Sequence, residues 1–399
     1  MPRFNIKTFN SIAKEGLERL PKENYGINKS NDPEAIILRS YNFHAEPINP
    51  SLIAVARAGA GFNNIPLDKL SEAGIVAFNT PGANANSVKE LVLGTLIAYS
   101  RNMFEAKNWS DKLSGENIRT QVEAGKKLFK GYEISGKTLG VIGLGAVGLR
   151  VANDAKSLGM DVIGHDPYIS IDAAWNINRT VDKATSLEEL LKKSDFITVH
   201  VPMMESTKGI IDAACMKLMK PSAVLLNFSR DEIIDESALI EALDHNRIAH
   251  YITDFPHEDL LGHEKITLLP HLGASTDESE SNSAIMAVDQ LKTYLETGNI
   301  TNSINYPRVE MSLSSPARLA VCNQNVKNII ANLTNYLSME GINIDHIINK
   351  SRGEFAYTLV DISEIDEEKL HKIIDKLEGQ EGILKVRLVK NMAHNDWYN

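Results

Sequence analysis

The stretch that most constrains this chain is Gly143-Leu144-Gly145-Ala146-Val147-Gly148, a G-x-G-x-x-G turn. It follows an apolar run, Leu139 to Ile142, and opens a helical pattern with Val147, Val151 and Leu158 among its apolar positions. Gly159 ends that pattern, and a second strand, 160–164, delivers Asp166 about 20 residues beyond the glycines. Strand, glycines, helix, strand and acid, in that order, make the fingerprint of a dinucleotide-binding βαβ unit. Gly143 permits the tight turn, Gly145 lets a pyrophosphate approach the backbone, and Gly148 lets helix and strand pack closely. The helix start at Ala146 and Val147 then offers free N–H groups and a partial positive charge. Asp166 can accept from ribose hydroxyls and would repel a 2′-phosphate, and Pro167, Tyr168 and Ile169 follow it with no arginine, so NAD is expected over NADP. Taken without this context, the same glycines are a structural turn of any doubly wound domain.

The 399 residues suffice for two or three domains. A net charge of −10 speaks against nucleic acid as a partner. Cys215 and Cys322 form no disulfide framework, the first twenty residues lack the apolar core of a secretory signal, and no run of about 18 apolar residues exists. A cytoplasmic protein with no membrane segment and no metal is expected.

Residues 4 to 100 alternate strand and helix patterns. Strands are expected at Phe4–Thr8, Ala35–Leu38, Leu52–Ala56 and Ile75–Phe78, with a helix at Ser11–Leu20. A long helix is expected from Val88 to about Trp109, capped by Asn86 or Ser87, then a polar connector over 110–136. After the glycine unit the alternation resumes. Its strands end in His200-Val201-Pro202, Phe228-Ser229-Arg230, Asp254 and Pro270-His271. In a parallel sheet those ends share one edge, so Arg230, Asp254 and His271 can meet. A helix capped at Ser275-Thr276 runs to Leu295 and closes at Gly298. Past a Pro/Ser-containing boundary at 302–316, the rhythm becomes βαββαβ, a ferredoxin-like sandwich. The expected architecture is α/β: two Rossmann-like doubly wound parallel-sheet domains plus this C-terminal unit. The expected boundaries are 1–100 with 275–303 for substrate, 101–274 for NAD, and 316–399 for regulation.

Hydride chemistry on a hydroxy acid needs a cation for the carboxylate, a proton shuttle for the hydroxyl and a hold on the nicotinamide. Arg230 has the planar fork that suits a carboxylate, and His271 the pKa range of a proton shuttle if Glu258 or Asp259 orients it. From spacing alone, a surface ion pair for Arg230 and a structural role for His271 stay open.

The segments RAGAGFNNI, NTPGANANSVKELV, LGVIGLGAVG, VHVP followed by Thr207-Lys208-Gly209, LLNFSRDEIID and PHLGAST resemble the D-2-hydroxyacid dehydrogenases over roughly 3–305. The tail resembles an ACT domain through GINIDHIINKSRGEFAYTLVDI. The resemblance implies an NAD-dependent dehydrogenase with Arg230 as catalytic arginine, His271 as acid–base group, and Asp254 on the nicotinamide amide. The family's glutamate partner of the histidine falls on Asp259 by count from Asp254, with Glu258 as the alternative. His200, Val201, Pro202, Thr207, Asn227, Ser229 and Gly273 join the glycines and Asp166 around NAD. Arg39, Ser40 and Asn42 match one substrate loop, and Arg57, Ala58 and Gly59 the next. Two arginines there suit a phosphorylated hydroxy acid. The ACT resemblance implies L-serine at Asn323, Asn325 and Asn343, although Asn323 stands where relatives have His and Lys327-Asn328 replace Pro-Gly. It also implies a homo-oligomer, dimer or tetramer. Other readings on the same residues are a hydroxypyruvate or 2-oxoacid reductase, and an NAD-sensing protein without turnover.

Overall fold

The computed structural model describes residues 2–364 and 366–393. The last residues of the expected regulatory unit, 394–399, lie outside the described ones. Two compact units emerge, one holding the described residues up to Ala83 together with those from Glu280 on, the other Asn84–Ser279.

The first unit opens with five parallel strands: β1 Phe4–Thr8, β2 Tyr25–Ile27, β3 Ala35–Leu38, β4 Ala54–Arg57 and β5 Val76–Phe78, in spatial order β2-β1-β3-β4-β5. Every residue of β3, and of β4 up to Arg57, is buried. A parallel strand covered on both faces reads as a continuous apolar run, which is why the sequence shows these two clearly. The helix expected over Ser11–Leu20 shrinks to one turn, Lys14–Leu17, with the poor helix former Gly16 inside it.

The second unit begins with α1, Ala85–Ser100. The sequence pattern predicts a single helix from Val88 to about Trp109. The chain breaks instead at Asn102, in the left-handed region at φ 49°, and resumes as a separate helix, Met103–Ser110. Asparagine tolerates that conformation because its short amide can bond locally. The expected connector also holds a helix, Ile118–Gly125, and neither Asn86 nor Ser87 caps α1, whose N-cap position is Asn84. Then come β6 Thr138–Ile142, α2 Ala146–Ser157, β7 Asp161–His165, β8 Asp182–Lys183, β9 Phe196–Val199, β10 Val224–Asn227, α3 Glu236–Asp244, β11 His250–Thr253 and β12 Ile266–Leu268. The seven strands are parallel, in order β12-β11-β10-β9-β6-β7-β8. Leu139 and Val141 of β6 pack with α1 and α2, whereas Ile142 belongs to the apolar cluster on the opposite face with Ile197 and Leu225. Strand order reverses at β6, so the crevice at the carboxyl ends of β6 and β9 is where such a sheet binds its ligand.

Returning to the first unit, α4 runs Asp277–Thr297 and starts under Thr276, whose hydroxyl accepts from Ser279 N at 3.1 Å. The tail forms β13 Ala317–Gln324, α5 Ile329–Met339, β14 Ile344–Arg352, β15 Phe355–Ile362, α6 Glu367–Glu378 and β16 Ile383–Lys390. These make a four-stranded antiparallel sheet, β14-β15-β13-β16. One face buries Leu319 and Val321 under α5 and α6. The other face, through Ala320, Cys322, Tyr357 and Leu359, joins the core of α4 and the first sheet. The C-terminal carbonyls of α4 have no partners within the helix. Arginines of the third sheet supply them: Arg387 donates to Tyr294 O at 2.6 Å and Leu295 O at 2.8 Å, and Arg318 donates to Thr297 O at 2.8 Å. Cations there also oppose the negative end of the helix dipole. Arg318 is fully buried and paired in a two-pronged way with buried Asp361, at 2.5 and 3.0 Å.

Candidate active site

The second sheet brings most of the expected site residues to one edge, because each follows the carboxyl end of a parallel strand. The glycine turn follows β6, Asp166 follows β7, His200 follows β9, Ser229 and Arg230 follow β10, Asp254 follows β11, and His271 follows β12.

The three glycines of the turn differ in what surrounds them. Gly143 adopts φ +86°, and a Cβ there would stand 2.8 Å from the His200 carbonyl oxygen. A Cβ on Gly148 would stand 1.9 Å from the Gly143 carbonyl oxygen, which no side chain can occupy. A Cβ on Gly145 would meet nothing within 4 Å, so the space at the start of α2 is open to a ligand. Asp166 ties the turn to β7: one carboxylate oxygen accepts from Leu144 N at 2.9 Å, the other from Tyr168 N at 2.8 Å. A carboxylate has about four acceptor positions, so two remain for ribose hydroxyls.

Asn227 is buried and organises the next loop. Its Nδ2 donates to Arg230 O at 2.7 Å, and its Oδ1 accepts from Ser229 N at 3.1 Å and Ser229 Oγ at 2.9 Å. Thr253 Oγ1 donates to Asn227 O at 2.8 Å, coupling β11 to the same loop. The Arg230 side chain is exposed and donates to Ser229 O at 2.6 Å. Thr207 closes the loop beyond His200-Val201-Pro202 by donating to Pro202 O at 2.6 Å and accepting from Met204 N at 2.8 Å. His200 Nε2 lies 2.9 Å from Thr198 Oγ1, and burial pushes its pKa down to about 3, so this ring stays neutral beside the glycine turn.

Asp254 is 1 % exposed. Its Oδ2 accepts from Gly273 N at 2.8 Å, while Oδ1 is buried without a partner. Burial pushes this carboxyl above its ordinary range, against the Gly273 N–H and the nearby His271, which both favour the charged form. A buried acceptor without a donor costs stability unless a ligand supplies one. The amide N–H of a nicotinamide is such a donor, and with the open space at Gly145 this makes the residues a good fit for NAD.

His271 is exposed, in the left-handed region at φ 50°, and its ring meets Phe255 edge-on at 5.0 Å. Among the described residues, no carboxylate oxygen lies within the 4.0 Å ion-pair distance of its ring. Glu258 and Asp259 stand on a one-turn 3-10 helix, Glu258–Leu260, and both are exposed. Asp259 clusters instead with His257 and Glu236, their ligating atoms all within 4.8 Å, and His257 Nε2 pairs with Glu236 at 3.0 Å. The Asp231-Glu232 pair after Arg230 shares a hydrogen bond that lowers Asp231 and raises Glu232, with His257 also favouring the Asp231 anion. A direct dyad of His271 with either acid is therefore not formed in this conformation.

In the first unit, Arg39 follows β3, and Arg57 ends β4. Arg57 Nε donates to Arg39 O at 3.0 Å, and Asn64 Nδ2 donates to Arg39 O at 3.0 Å and Tyr41 O at 2.7 Å. Ser40 is exposed, Asn42 Oδ1 caps the short turn at His44 N, Ala58 N bonds Leu38 O, and Gly59 sits against the Arg57 side chain. Asn64 escaped the sequence reading although its polar side chain stands in the same N-N-I stretch as the matched loop. In the third sheet, Asn323 is buried, donating to Gln324 O and accepting from Thr358. Asn325 donates to Gly353 O and Asn343 to Asp345.

A model of the D-isomer specific 2-hydroxyacid dehydrogenase NAD-binding domain matches residues 93–273. D-3-phosphoglycerate dehydrogenase 1 of Saccharomyces cerevisiae is 31% identical over 93% of this chain and 81% of its own length. D-3-phosphoglycerate dehydrogenase of Escherichia coli is 31% identical over 85% of this chain and 82% of its own. NAD-bound 3-phosphoglycerate dehydrogenase of Entamoeba histolytica is similar in structure, with a TM-score of 0.58 and 27% identity over 76% of this chain and 98% of that one. The chain belongs to the D-isomer specific 2-hydroxyacid dehydrogenase family and is an NAD-dependent dehydrogenase.

Proposed function

We propose that this enzyme oxidises 3-phospho-D-glycerate to 3-phosphohydroxypyruvate with NAD, the opening step of phosphorylated L-serine biosynthesis. The observation that carries the reading is the succession of Arg230, Asp254 and His271 at the ends of three adjacent strands, β10 to β12, of the sheet that also bears the glycine turn. The names of the relatives point to the substrate. NAD, when bound, supplies the acceptor for the hydride leaving C2. Gly143, Gly145 and Gly148, with the N–H groups of Ala146 and Val147, hold its diphosphate, and Asp166 its ribose. His200, Val201, Pro202, Thr207, Asn227 and Ser229 shape the walls, and Asp254 Oδ1 with the Gly273 segment orients the nicotinamide amide. Arg230 binds the substrate carboxylate and polarises the C2–O bond. His271 takes the proton from the C2 hydroxyl, with Glu258 or Asp259 stabilising the resulting imidazolium once the 255–260 loop adjusts. Arg39, Arg57 and the neighbouring Ser40, Asn42, Ala58 and Gly59 answer the phosphate.

Three finer points belong to the same proposal. Met103, Phe104, Ile118, Val122, Leu128 and Tyr132 leave large apolar surface exposed along one segment, which supports burial in a dimer or tetramer. L-serine binding at the third sheet is part of the same proposal; Asn325 lines an open groove there, whereas Asn323 and Asn343 do not. The free thiols of Cys215 and Cys322 suit a reducing, cytoplasmic setting. The test compares kcat/KM for NADH formation with 3-phospho-D-glycerate and D-glycerate, and for NADH consumption with hydroxypyruvate, with and without L-serine. The phosphorylated substrate leads if the proposal holds, and a phosphate-free one leads if the enzyme is a general reductase.

A further inference from the structure

The arginine pair of the first unit has a neighbour that the proposed chemistry does not use. Arg39 directly follows β3 and Arg57 ends the adjacent parallel strand β4, and the Arg57 side chain donates from Nε to the Arg39 carbonyl at 3.0 Å. The Arg39 guanidinium is itself engaged: its Nη1 lies 2.7 Å from Oε1 of Glu280, with the two side chains 37% and 43% exposed. Glu280 stands in the first turn of α4 with Asp277 and Glu278. Acids at that position complement the helix dipole, which explains all three by default. Asp277 and Glu278 form no ion pair among the described residues, whereas Glu280 faces a substrate-loop arginine.

A half-exposed ion pair is weak, because water screens it and both side chains lose freedom in forming it. A phosphate, with nearly two negative charges and three acceptor oxygens, outcompetes a single carboxylate for the same guanidinium. The displaced carboxylate stays tethered to its helix, close enough to repel the incoming dianion. We infer that Glu280 is a specificity-determining residue, an internal counter-ion that a phosphate must displace from Arg39. It thereby sets how strongly the first unit favours a phosphorylated over an unphosphorylated hydroxy acid. The inference rests on the reading that the substrate's phosphate is held by Arg39.

Glu280→Gln removes the charge and keeps the size and a hydrogen bond. The experiment compares KM for 3-phospho-D-glycerate, KM for D-glycerate, and competitive inhibition by inorganic phosphate in wild type, E280Q, R39A and the double variant. Expected for E280Q is a fall of about threefold in KM for the phosphorylated substrate and in the inhibition constant for phosphate. KM for D-glycerate stays put, and the difference shrinks at high ionic strength. In the R39A background the E280Q effect disappears, since the coupling runs through Arg39. If R39A weakens the phosphorylated substrate but E280Q leaves it unchanged or weakens it too, Glu280 is no counter-ion and the inference is overturned. If R39A leaves both KM and phosphate inhibition untouched, the phosphate is held elsewhere, and the reading beneath the inference goes with it.

Discussion

The Asp254 carboxyl holds one backbone N–H and leaves one buried oxygen unanswered, and burial raises its pKa in the folded protein. A raised folded-state value means that the group favours folding while protonated. That contribution is present below the ordinary carboxylate range and is lost as pH rises through the raised value. Near neutral pH the ionised group is thus a net cost to stability, retained for what it binds. Asp254→Asn should melt at a higher temperature than wild type at neutral pH, the gap closing as pH falls toward the carboxylate range, while its NADH affinity weakens. Thermal melts across pH and fluorescence titration with NADH check both halves. An unchanged melting temperature would mean that the buried carboxylate costs nothing. His271 answers to a different readout, because it is exposed and held only by its backbone and the Phe255 ring. His271→Asn should lower kcat by about 10²- to 10⁴-fold, with NADH binding retained. Sequence reasoning reached both residues because Asp254 directly follows the buried strand β11 and His271 comes just past β12. It could not reach the placement of Asp259 beside His257 and Glu236, because the backbone of a single 3-10 turn decides which way adjacent acids point.

At the level of elements, the glycine turn separates fold from ligand. A methyl on Gly148 would collide with the Gly143 carbonyl, so Gly148→Ala should cost roughly 1–3 kcal/mol of stability. A Cβ on Gly145 meets open space, so Gly145→Val should keep the fold, at a cost of about 1 kcal/mol for a poorer N-cap, and lose NADH affinity by at least about tenfold, ~1.4 kcal/mol. Urea denaturation and NADH titration of the two variants separate the effects. β6, β9 and β10 were legible because they are nearly continuous apolar runs, buried along almost their whole length. β2 and β8 were not, since Tyr-Gly-Ile and Asp-Lys are too short to show a period. The break at Asn102 was not legible either, because the apolar pattern on both sides is compatible with one helix.

For the molecule as a whole, the third sheet completes the first unit. Arg318 is fully buried and satisfied by Asp361, Thr297 O, Asn299 and Ser312 O, joining the tail, the end of α4 and the connecting segment. Arg318→Ala leaves the Asp361 carboxylate buried without its partner and should cost roughly 3–5 kcal/mol, read as a lower urea midpoint. The composition of residues 302–316 reads as a boundary, yet these residues fall in one compact unit with the tail, Ser315 is buried, and Asn391 donates to Leu313 O and Ser315 O. Such tethering depends on partners far along the chain, which local patterns do not reveal. The most direct measurement of the proposed chemistry uses 3-phospho-D-glycerate carrying deuterium at C2, with NAD and the full-length enzyme. Mass spectrometry of the NADH formed should find the deuterium on the nicotinamide ring, and His271→Asn should slow its appearance by the same roughly 10²- to 10⁴-fold. Reduced cofactor without the label, or no reduced cofactor at all, would contradict hydride transfer from C2 of this substrate.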